Sequence, residues 1–151
     1  MKKELNISAI KEGTVIDHIP SNATLKLADI LDLKGIRGMI SIAYNLTSKT
    51  MGKKGLVKIS GKTLTKEEVD KIALIAPNAT VNIIKNYNVD NKIKVKIPQI
   101  INKIIKCSNP NCITNNEKNL MTIFYVLKKD LLKVKCHYCE RNMEKEDITL
   151  L

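Results

Sequence analysis

Apolar and polar positions divide this chain into short blocks rather than long runs. The segment GTVIDHI (13–19) is β-branched, stops at Pro20, and reads as a strand. Ser21 or Asn22 is then placed to cap a helix whose apolar face is Leu25, Leu27, Ala28, Ile30 and Leu31. Gly35 and Gly38 bracket its exit, and the partial alternation over 39–46 predicts a second strand. A polar loop, TSKTMGKKG (47–55), leads to a third strand over 56–60. Thr65 and Glu68 have capping-box spacing ahead of a helix with Val69, Ile72, Ala73 and Ala76 on one face, ended by Pro77. The run 79–84 is the next strand, and 92–97 alternates Lys outward with Ile or Val inward, as a strand with one wet face does.

The order strand–helix–strand–strand–helix–strand, with one strand more, predicts an α+β unit: a ferredoxin-like antiparallel sheet with two helices on one face. Pro98 closes it, so domains 1–98 and 99–151 are expected. Residues 99–105 read as a connector, partly helical. The runs 120–127 and 131–135 read as two strands around Lys128-Lys129-Asp130, giving a small all-β second domain. So short a module has too little core to fold reliably alone.

Its cysteines supply what the core lacks. Cys107 and Cys112 form a C-x4-C knuckle, Cys136 and Cys139 a C-x2-C knuckle, with 23 residues between. Four thiolates suit Zn²⁺ and complete its tetrahedral shell, leaving no position for water or substrate; the metal would be structural. Disulfides compete, but the polar N-terminus MKKELNISAIKEG is no secretory leader, and cytoplasmic placement disfavours them. A redox dithiol at Cys136 and Cys139 would leave the first pair unexplained.

Net charge of +11 points to an anionic partner. Residues 1–100 hold 17 basic and 9 acidic side chains, residues 101–151 hold 9 and 6, so most of the excess lies away from the cysteines. One Phe, four Tyr and no Trp give little stacking surface for single-stranded nucleic acid. No apolar run reaches the roughly 20 residues of a membrane span.

Catalytic constellations are missing. Gly61-Lys62-Thr63 is not a phosphate loop, because the first glycine of that motif would fall on Leu56. His18 and His137 are the only histidines, and neighbours Asp17 and His18 are expected to point to opposite faces of a strand. The better lead is lysine: Lys58 on one strand, Lys92, Lys94 and Lys96 on another, with Asn82 and Lys85 between. Such a face can hold phosphate, although a solvated basic strand would look the same.

Four blocks, KEGTVIDHIP, MGKKGLVKI, IALIAPNATVNIIKNYNV and the CSNPNC…CHYCE pair, occur in order over most of the chain and together resemble the regulatory chain of aspartate carbamoyltransferase. The resemblance implies a noncatalytic allosteric subunit of pyrimidine biosynthesis, cytoplasmic, with CTP and UTP as inhibiting effectors and ATP as the activating one. It maps their site onto Ala9, Ile10, Val15, Asp17, His18, Lys54, Lys58, Asn82, Ile84, Val89 and Lys92. Lys58 and Lys92 would pair with phosphates, Asp17 would accept from ribose hydroxyls, and Ile10, Val15, Ile84 and Val89 would sandwich the base. Mg²⁺ would be a companion of the nucleotide. Ser8 stands where the family can carry an acidic residue.

The resemblance further implies one structural Zn²⁺ on Cys107, Cys112, Cys136 and Cys139, and docking of that domain on the catalytic chain, with Asn111, Glu140 and Arg141 as contacts. It implies a homodimer through the nucleotide domains, for which 36–44 is the pairing edge, and no nucleic-acid or membrane partner. The competing reading is a zinc ribbon that binds nucleic acid; it requires basic and aromatic residues around the knuckles, whereas the charge lies upstream.

Overall fold

The computed structural model describes residues 9–151, and the chain divides into two compact units, Met1–Lys96 and Ile97–Leu151. In the first, β1 (Gly13–Pro20), α1 (Thr24–Ile30), β2 (Ile40–Ser48), β3 (Gly52–Ser60), α2 (Lys66–Ile75), β4 (Thr80–Lys85) and β5 (Asn88–Lys94) follow one another. The sheet order is β2-β3-β1-β4-β5, every neighbour antiparallel. That is the expected ferredoxin-like arrangement, extended by β5. Its core is Ile16, Ile19, Leu27, Val57, Ile59, Ile72 and Ala73, all without solvent exposure. Each such aliphatic side chain contributes about 1.5–3 kcal/mol by leaving water, so this apolar layer, not strand propensity, fixes the sheet.

The capping box forms as the spacing requires: Thr65 Oγ1 accepts from Glu68 N, and Thr65 N donates to Glu68 Oε1. The first helix differs from expectation. Ser21–Ala23 make a 3₁₀ turn, and α1 starts at Thr24 with no side-chain cap. Ser21 is already committed, its Oγ accepting from Asn45 N at 2.9 Å. Leu25 is 58% exposed, and Thr24, Leu27 and Ala28 form the buried face.

One expected loop turns out to be strand, and one expected strand lies elsewhere. Most of the polar segment 47–55 belongs to β2 and β3, which meet in a tight turn at Lys49–Met51 before Gly52, whose φ is +75°. With few apolar side chains there, the hydrophobic pattern carries no strand signal. The alternating run 92–97 is likewise displaced: β5 occupies Asn88–Lys94 and is exposed throughout, while Val95 and Ile97 are buried beyond its end. Asn86 and Tyr87, at φ +50° and +66°, form the turn that sets this register. Paired positive φ values are the signature of a two-residue hairpin, but the tyrosine disguises it in sequence.

The second unit contains β6 (Ile100–Asn102), β7 (Ile105–Lys106), α3 (Ile113–Asn116), β8 (Ile123–Lys128), β9 (Lys133–Cys136), β10 (Asn142–Glu144) and β11 (Thr149–Leu150). One sheet runs β10-β9-β8-β6, and β11 pairs with β7. Within 99–105 the structure has β6 and the start of β7, joined through Lys103 and Ile104, rather than a partly helical connector; Val126 N donates to Gln99 O and draws this segment along β8. Phe124, Ile101, Ile104, Ile105, Val134 and Met143 are the core. Among the described residues, no helix is long and apolar enough to cross a membrane.

Candidate functional site

Direct cross-strand partners in an antiparallel sheet share a face. Ser41 faces Lys58, Lys58 faces Val15, Val15 faces Asn82, and Asn82 faces Lys92, so these five side chains form one row across all five strands. The next row, Ile42–Val57–Ile16–Val81–Ile93, has its three central members at 2% exposure or less. The first row therefore points away from the core. Lys58, Val15 and Asn82 are half-buried on it, and Lys92 is exposed at the β5 end.

One step along the same face, Gly13 pairs with Ile84 and Ile84 with Val89. Gly13 contributes no side chain, and Ile84 and Val89 make this end of the face apolar. Tyr87 N donates to Lys11 O at 3.0 Å, tying the segment that carries Ala9 and buried Ile10 to the β4–β5 turn. Ser8 lies outside the described residues.

In the other direction, Asp17 pairs with Thr80 and Thr80 with Lys94. Here β1 is bulged. The register with β3 slips between Ile16 and Ile19, and His18 adopts φ +58°. His18 Nδ1 lies 2.9 Å from Thr80 Oγ1, and Lys54 Nζ lies 2.9 Å from Asp17 Oδ1. Asp17 and His18 thus serve one face, contrary to simple alternation, because the extra residue of a bulge re-aims a side chain. Thr80 joins the site beside Lys94, which the lysine face already included; the parity of Thr80 with Asn82 is the signal that could have found it. Lys85, grouped with Asn82 by sequence, instead pairs with Asp90 at 3.5 Å.

The four cysteines converge. Their Sγ atoms all lie within 4.8 Å of one another, with Cys107–Cys139 at 3.6 Å and Cys112–Cys136 at 3.8 Å. A tetrahedral Zn²⁺ with Zn–S of about 2.3 Å requires sulfurs about 3.8 Å apart, so the donor set and spacing fit that ion. Cys107 follows β7, Cys112 immediately precedes α3, and Cys136 ends β9. The turn after it closes through Glu140 N to Cys136 O, with Glu140 at φ +61°.

Asparagines hold the first knuckle: Asn115 Nδ2 donates to Cys107 O and Asn109 O, Asn116 Nδ2 to Cys112 O. Burial pushes the Cys107 thiol up to about 12 and raises Cys136 as well. At Cys139 burial also opposes ionisation, but donation from the Arg141 N–H, from Asn109 and from the neighbouring thiols outweighs it and brings that thiol down to about 7. Asn111, Glu140 and Arg141 are exposed beside these ligands. His137 is not among the metal donors; its Nδ1 lies 2.6 Å from Tyr125 Oη.

The family model for the aspartate carbamoyltransferase regulatory chain, allosteric domain, matches residues 5–96, and that for the metal binding domain matches 99–149. The aspartate carbamoyltransferase regulatory chain of Pyrococcus horikoshii is 57% identical over 147 residues, spanning 96% of both chains. That of Thermococcus kodakarensis is 49% identical over 149 residues, covering 98% of this chain and 97% of its own. That of Bacteroides fragilis is 45% identical over 150 residues, covering 99% and 97%.

Proposed function

This chain belongs to the family of aspartate carbamoyltransferase regulatory chains, and from that premise we propose that CTP, UTP and ATP bind its open sheet face and bias the catalytic partner. It is a noncatalytic subunit with an allosteric and a metal-binding domain. The observation that carries the effector reading is the row Lys58–Val15–Asn82–Lys92. It offers two cations flanking an aliphatic and an amide side chain, beside the apolar patch of Ile84 and Val89. Ammonium groups take phosphates, the patch takes the base with Ala9, Ile10 and backbone groups along its edge, and the Asp17–His18 bulge takes the ribose. Mg²⁺ would accompany the phosphates, whose charge exceeds what two lysines offset.

The metal is Zn²⁺, held by Cys107, Cys112, Cys136 and Cys139, and its role is structural because four thiolates close the shell. The knuckles present Asn111, Glu140 and Arg141 to the catalytic chain. Residues of the β2 edge, Ile42 and Tyr44, with Met39 just before it, exposed at 42–50%, pair two regulatory chains. An effector moves the assembly only by binding its two states with different affinity, typically about 1–3 kcal/mol of coupling. Calorimetric titration of each nucleotide into wild type, Lys58→Ala and Lys92→Ala tests the site. Each substitution should weaken triphosphates far more than nucleosides; equal losses for both would remove the phosphate contacts from this reading.

A further inference from the structure

Lys54 Nζ lies 2.9 Å from Asp17 Oδ1 and 3.2 Å from Oδ2, so the anion nearest this lysine belongs to the chain itself. Local backbone geometry builds the pair. His18 N donates to Asp17 Oδ1 at 2.6 Å within the β1 bulge and fixes the carboxylate. Lys54 sits opposite Pro20, beyond the bulge, and reaches back to it. Both side chains keep about a fifth of their surface, 21% and 20%, so the pair is accessible to a competing anion. Asp17 shares its face with Val15 two residues away, about 7 Å along the strand, within reach of a ligand spanning the lysine row.

We propose that Asp17 is a built-in counter-ion that occupies Lys54 until the phosphate chain of a bound nucleotide displaces it, making the site selective for polyanions. This rests on the nucleotide reading of the same face. A single phosphate must exchange with the carboxylate from solution, one anion for another, with little net gain. A triphosphate anchored on Lys58 and Lys92 presents its remaining oxygens to Lys54 at high effective concentration, and the exchange becomes intramolecular. Charge balances: Lys54 trades a carboxylate for a phosphate oxygen, and Asp17, released, accepts from a sugar hydroxyl.

Inorganic tripolyphosphate and orthophosphate, which have no sugar, isolate the exchange. Calorimetric titration into the zinc-loaded full chain should show Asp17→Asn binding tripolyphosphate about two- to fivefold more tightly than wild type, the range expected from freeing a partly exposed pair. Orthophosphate should change little. Lys54→Gln should bind tripolyphosphate more weakly, and adding Asp17→Asn to it should recover nothing, because the two residues act as one unit. An equal gain from Asp17→Asn with and without Lys54 would overturn the proposal, leaving only a general field effect. Loss of tripolyphosphate affinity in Asp17→Asn, or no tripolyphosphate binding by any variant, would overturn it too. If the Asp17–Lys54 coupling holds while CTP, UTP and ATP fail to bind, the effector reading falls and the counter-ion stands.

Discussion

Single residues decide how the basic face is held in shape. Gly55, the cross-strand partner of Ile19, is buried, and a Cβ added there would meet the Thr24 side chain. Thr24 is itself without exposure and donates Oγ1–H to Pro20 O. Gly55→Ala should therefore cost about 1–3 kcal/mol in chemical denaturation of the first unit, since the threonine has nowhere to move. Phe124, the only phenylalanine, has no exposure at the centre of the second unit. Phe124→Ala should cost about 3–5 kcal/mol, read as a lower denaturant midpoint for the metal-loaded chain. At this scale the cysteine quartet was fully legible, because ligand spacing within each knuckle is local. The Asp17–Lys54 pair was not. It depends on a bulge, and alternation along a strand sends Asp17 and His18 to opposite faces.

Among elements, those defined by strong local rules were legible. The capping box Thr65–Glu68 starts α2 where its residue types require, and Thr65→Ala should lower stability by about 1 kcal/mol in thermal melts. β1, β4 and α2 had apolar periodicity to announce them. The far ends of β2 and β3, the first half of β5 ahead of Lys92 and the short strands β6, β7, β10 and β11 did not. Their side chains are mostly polar or exposed, and hydrogen bonding to a neighbouring strand, not sequence, makes them strands. The α1 start was missed because Ser21, a good cap by type, is bonded to Asn45 instead. The β2 edge carries its own prediction. Ile42, 42% exposed on it, replaced by Lys should disrupt pairing of two chains while preserving the fold, with light scattering reporting a monomer and circular dichroism unchanged. A dimer that persists in Ile42→Lys would move the interface elsewhere.

In the whole molecule, charge and metal are divided between two units. Lysines that can receive an anion lie before Lys96, and the four thiolates lie after Ile97. A four-cysteine unit of this size draws much of its folding energy from the ion, so chelation or Cys112→Ser should unfold it and abolish association with the catalytic chain. The first unit, with its own sheet and core, should still bind nucleotide. The two-unit layout and the ferredoxin-like order were readable from element succession, whereas the transverse row Lys58–Val15–Asn82–Lys92 needs the strand register and so could only be approached through lysine parity. A nucleotide on this row should be linked to the state of the catalytic partner. Calorimetric titration of CTP, UTP and ATP into the zinc-loaded chain, alone and assembled with the catalytic chain, tests it directly. Linkage requires that an effector which biases the assembly be bound with different affinity once the partner is present, by about 5- to 150-fold for a typical coupling. Saturable binding whose affinity changes on assembly is the predicted result; no binding, or identical affinity in both forms, would contradict it.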